Sequence, residues 1–93
     1  MEEKFIAIWK QNREKAQALG ARIRPVEDAE ALKTAHRCLQ GHRESDGFGF
    51  LADKGRLELS LEALAVDKRF TGLFTDAEAN EALNRLVDAG YGF

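Results

Sequence analysis

Apolar residues recur along most of this chain at the three- and four-residue spacing of an α-helix, and the stretch 74–91 shows the pattern best. Ala79, Ala82, Leu83, Leu86 and Val87 form one stripe there. Thr75 is placed to cap the helix, Glu78 three residues on completes a capping box, and Phe74 precedes the cap. Asp76 and Glu78 put negative charge in the first turn, where the helix dipole favours it. Gly90 supplies the left-handed residue that ends many helices. The spacing predicts an amphipathic helix with a defined start and stop.

Two more helices precede it. Phe5, Ile8, Trp9, Ala16 and Leu19 share one broad face over 2–19, interrupted by Asn12, and Gly20 is the natural stop. Residues 21–24 are expected to be extended, because a residue before proline avoids the helical region and Pro25 follows. A second helix is predicted over 28–40, with Asp28 as its cap and Leu32, Ala35, His36 and Leu39 as its apolar edge.

The period then changes. Phe48 and Phe50 alternate, as do Leu57, Leu59 and Leu61, around the turn-like Ala52-Asp53-Lys54-Gly55. This reads as a β-hairpin over 47–60, although Leu57, Leu61 and Leu64 also fit a helix. Ser60 can cap a short third helix over 61–66, and 68–74 is an apolar loop pinned to the core. The order is helix, helix, β-hairpin, short helix, helix: a helix-dominated α+β fold in a single globular domain, 1–93. The expected core is Phe5, Ile8, Trp9, Leu19, Leu32, Leu39, Leu57, Leu61, Leu64, Phe70, Leu83, Leu86 and Val87.

Composition narrows the class. At 93 residues, 44% hydrophobic and 32% charged, the chain is a globular domain that buries about 60–65% of its unfolded surface. No apolar run approaches a membrane span, and the start lacks a signal peptide's pattern, so the expectation is a cytoplasmic protein without a membrane partner. Cys38 is the single cysteine, which excludes an internal disulfide and agrees with a reducing compartment. Net charge is −2, unevenly spread: 4–24 holds six basic residues and one acidic, whereas 47–93 holds five basic and eight acidic.

Catalytic and metal-binding patterns fail on inspection. Cys38 and His42 stand four apart, but His36 points elsewhere and no second Cys or His cluster completes a tetrahedral site, so no metal is assigned. Cys38, His42 and Asp46 at i, i+4 and i+8 along a helix are too far apart to relay protons. Counting from Asp46 or Asp53 puts phenylalanines or leucines where calcium ligands belong. Gly47-Phe48-Gly49 lacks the lysine and the strand-to-helix setting of a phosphate loop. No enzyme activity and no cofactor are expected.

Binding remains. The loops around Phe48, Phe50 and Phe70 carry more aromatic surface than so small a core needs, and Trp9, Arg13, Arg22 and Arg24 lie in the basic segment. These seven residues are the candidate partner contacts. The reading is a non-enzymatic regulator, adaptor or inhibitor that binds another protein, with homodimerisation as a further means of completing the core. Nucleic acid is the alternative partner. The stretch 56–91 resembles a winged-helix core, with a short strand, then Leu-Glu-Ala-Leu-Ala, then Ala-Leu-Asn-Arg-Leu-Val ending in Ala-Gly-Tyr. That resemblance implies DNA binding through the last helix. Asp76, Glu78, Glu81 and Asp88 against one Arg85 would repel phosphates there, so the basic first helix is the better nucleic-acid surface.

Overall fold

The computed structural model describes residues 1–41 and 43–91. Among these residues five α-helices follow one another: α1 (Glu2–Leu19), α2 (Ala31–Gln40), α3 (Phe48–Asp53), α4 (Leu61–Ala65) and α5 (Asp76–Asp88). Short 3₁₀ turns lie at Asp28–Glu30, Leu57–Leu59 and Lys68–Leu73. No strand occurs among the described residues.

The local helix signals act as their chemistry requires. The Thr75 hydroxyl accepts the Glu78 N–H at 3.1 Å, and the Glu78 carboxylate accepts the Thr75 N–H at 2.8 Å, closing the capping box. Ser60 accepts the Ala63 N–H at 3.1 Å and starts α4. Gly20 and Gly90 adopt φ of 115° and 82° and close α1 and α5. Asp28, expected as a cap, makes no capping hydrogen bond: the second helix begins instead as a 3₁₀ turn preceded by Glu27.

The β-hairpin expected over 47–60 is absent, and the fold is helical rather than α+β. Gly47, at φ 79°, turns the chain into α3, whose Phe48 and Leu51 stand three apart and are both buried. Gly55 does take a left-handed turn, but it closes α3: the Arg56 N–H reaches the Leu51 carbonyl at 2.8 Å. The strand-like alternation of Leu57, Leu59 and Leu61 is only five residues long. A 3₁₀ turn running into the Ser60 cap buries all three leucines as well as a strand would. The strand of the winged-helix resemblance falls with it.

The core has two lobes. In the first, Phe5 of α1 is the hub, with Phe70 and Phe74 edge-on to it at centroid distances of 5.6 and 5.4 Å and Trp9 tilted at 5.6 Å. Ala31, Ala35 and Leu39 of α2 and Leu61, Leu64 and Ala65 of α4 close around them. The second lobe gathers Ala16, Ala21, Phe48, Leu51, Leu57, Leu59 and Leu86.

Three expected core residues lie outside. Leu19, Leu83 and Val87 are exposed, while Ile8 and Leu32 are half-buried. On α5 the inward face is Glu78, Ala82, Arg85 and Leu86: it keeps Ala82 and Leu86 of the stripe that apolar spacing selects but is rotated so that Leu83 and Val87 fall outside. Polar groups hold that rotation, because Glu78 and Arg85 find hydrogen-bond partners inside the molecule.

Candidate functional site

A cleft of about 790 Å³ opens between α1, the extended segment after it, α2, and the chain on either side of α3. Trp9, Ile23, Val26, Leu51, Leu59 and Leu61 give it an apolar wall, and Arg13, Arg24, Arg37 and Arg43 with Glu27, Glu30, Glu44 and Asp46 line it with charges of both signs. Its size is that of a small-molecule pocket.

A buried ionic network backs the cleft. Arg85 Nη1 donates to Glu62 Oε2 at 3.1 Å, Nη2 donates to the carbonyls of Cys38 and Gly41 at 3.2 Å each, and Nε donates to Glu81 at 2.8 Å. Glu62 also accepts the backbone N–H of Ser45 at 2.9 Å and the Ser45 hydroxyl. One carboxylate therefore ties α4 to α5 and to the segment entering α3. Its lone pairs are committed to these donors, which makes Glu62 a bracket rather than a free base.

Cys38 and Ser45 both line the cleft and are half-buried. Burial, with the Glu62 charge adding to it, pushes the Cys38 thiol above its ordinary value despite Arg85 nearby. A raised thiol is a poor nucleophile at neutral pH. Among the described residues no group of three or more His, Cys, Asp or Glu side chains converges as a metal site. His36 is bonded through Nδ1 to Glu78 at 2.7 Å and lies against Phe74, and His42 is outside the described residues.

Of the seven sequence-selected contact residues, Trp9, Arg13 and Arg24 line the cleft, whereas Arg22, Phe48, Phe50 and Phe70 do not. Phe48 and Phe70 are fully buried, and Trp9 is buried beside Phe5. Phe50 is half-buried, with the Lys54 ammonium 5.5 Å from its ring centroid. Arg22 is exposed. Arg24 is exposed too, but its guanidinium grips Asp46 through Nε at 2.8 Å and Nη2 at 3.1 Å. Arg13 is buried, at 8% exposure. The basic N-terminal segment thus keeps fewer unengaged cations at the surface than its composition implies.

What sequence spacing missed is an exposed apolar pair. Leu83 and Val87, one helical turn apart on α5, are 38% and 56% exposed. Asp76 and Asp88 are exposed on the same helix, whose single cation, Arg85, is turned inward. Their exposure depends on which way α5 is rotated, and the apolar spacing assigned them to the core.

Comparison of the chain with protein families, with characterised proteins and with solved structures finds no match.

Proposed function

We propose that this chain is a non-enzymatic protein-binding domain, acting as a regulator, adaptor or inhibitor, and that the outer face of α5 is its partner surface. The exposed Leu83–Val87 pair on a helix with a capping box carries this reading. A rigid helix presenting adjacent aliphatic side chains can dock without ordering a loop, so less entropy opposes binding. Exposed aspartates and the absence of an outward cation on α5 favour a partner with an apolar strip edged by lysine or arginine. Commitment of Glu62 to Arg85 and Ser45, together with the raised Cys38 thiol, supports a binding rather than a catalytic role. A single cysteine fits a reducing compartment such as the cytoplasm.

The test compares the parent with Leu83→Asp and Val87→Asp in sedimentation and in co-isolation from the native host. Both variants should fold, since the positions are exposed. Loss in both variants of a complex that the parent forms would support the α5 face. A complex that persists in both would sink it. If that complex is a self-assembly, the partner is a second copy.

A further inference from the structure

The guanidinium of Arg13 is unlike the chain's other engaged arginines. Its carbon lies 4.7 Å from the centroid of the Trp9 ring, and Nη1 makes a long contact of 3.5 Å to the Val26 carbonyl. Nε and Nη2 are buried with no hydrogen-bond acceptor among the described residues. These two atoms form one edge of the guanidinium fork, the edge that matches the two oxygens of a carboxylate. At two other arginines of this chain that edge holds a carboxylate. Arg24 meets Asp46 through Nε and Nη2, and Arg69 meets Asp67 through the same pair at 3.1 and 2.8 Å.

A buried cation with unmatched donors is costly, and burial accordingly depresses the Arg13 guanidinium below its ordinary value. The Trp9 face satisfies part of the charge but none of the N–H groups. Arg13 lines the cleft with Trp9, Ile23, Val26, Leu51 and Leu61, a cavity of ligand size that also carries the carboxylates of Glu27, Glu30, Glu44 and Asp46. Nε and Nη2 lie just under its surface, closed off from water, so a ligand reaches them by a small opening of the Arg13 side chain. A hydrophobic body in that cavity and an anion on that edge would satisfy both features at once.

We propose that the cleft binds a small-molecule carboxylate with an apolar body, and that Arg13 receives the carboxylate through Nε and Nη2. The site is separate from the α5 face, and the two readings stand or fall independently.

Decanoate serves as the probe, with 1-decanol as its uncharged counterpart. Trp9 is the only tryptophan, so its fluorescence reports on this wall of the cleft. Decanoate should quench or shift that emission saturably and raise the melting temperature. It should bind about ten- to a hundredfold more tightly than 1-decanol, the range of a charge-assisted hydrogen-bonded pair. Arg13→Met should abolish that preference yet melt no lower than the parent, because it removes an unmatched buried charge. Arg13→Lys keeps the charge without the fork and should lose most of the preference, which tests the idea even if Arg13→Met fails to fold. Lys15→Gln, an exposed change on the same helix, should leave it intact. Equal binding of acid and alcohol, no binding of decanoate, or an undiminished preference in the Arg13 variants would overturn the proposal.

Discussion

Arg85 and Glu62, 23 residues apart, meet at 3.1 Å with both side chains withdrawn from solvent, and this pair sets how α5 sits on α4. An ion pair of this kind gives little net stability over an apolar replacement, but breaking it leaves a stranded charge. Arg85→Met should therefore cost about 3–5 kcal/mol, measured by urea unfolding. The double variant Glu62→Gln with Arg85→Met should cost clearly less than the sum of the single changes, because neither charge is then left alone. Additive losses would mean that the pair does not act as a unit.

The rotation of α5 is tested by two leucines three residues apart. Leu86 is fully buried in the second lobe, so Leu86→Ala should cost about 2–5 kcal/mol. Leu83 is exposed, and Leu83→Ala should stay within about 0.5 kcal/mol of the parent. Reversed magnitudes in thermal or urea unfolding would show the helix turned the other way.

Two glycines at the start of α3 should respond with opposite signs. Gly47 has φ 79°, and a Cβ there would come within 3.2 Å of Ile23 Cγ1 and 3.3 Å of the Ala21 side chain. Gly47→Ala should destabilise by about 1–3 kcal/mol. Gly49 lies inside the helix with open space where a Cβ would project, and Gly49→Ala should stabilise by about 0.5–1 kcal/mol. Paired melting curves of the two variants decide it.

Acid should weaken the fold partly through Glu78. Burial alone would raise this carboxyl, but hydrogen bonds from the Thr75 N–H, His36 and Gln40 outweigh it and hold the group below the ordinary glutamate range. A depressed folded value means that the carboxylate adds stability above the unfolded value, near about 4.3. That stability is lost as pH falls through the lower folded value. Urea midpoints at pH 7, 4 and 3 should fall with acid, and Glu78→Gln should flatten the dependence. An unchanged slope in the variant would remove Glu78 from the account.

Signals carried within a few residues were legible before any packing was known. The Thr75–Glu78 capping box, the Ser60 cap and the left-handed glycines at positions 20 and 90 each depend on neighbours no more than five residues away. Phe5, Trp9 and Phe70 were legible as core because large aromatic groups lose most by staying in water. Where two local conformations bury the same side chains, as at Phe48 to Leu61, the spacing could not choose between them. Tertiary contacts chose the helical form.

The cleft and the facing of α5 belong to the tertiary structure alone. Arg85 and Glu78 look like surface residues in a linear reading, since charged side chains are almost never buried without partners. Their partners, Glu62, the Cys38 and Gly41 carbonyls, His36 and Gln40, arrive from at least 23 residues away. Once those bonds form, α5 turns Arg85 inward and Leu83 outward. Periodicity and caps determined where α1, α2, α4 and α5 run but misread α3 as a hairpin; the distant polar partners decided which side of α5 the core would take.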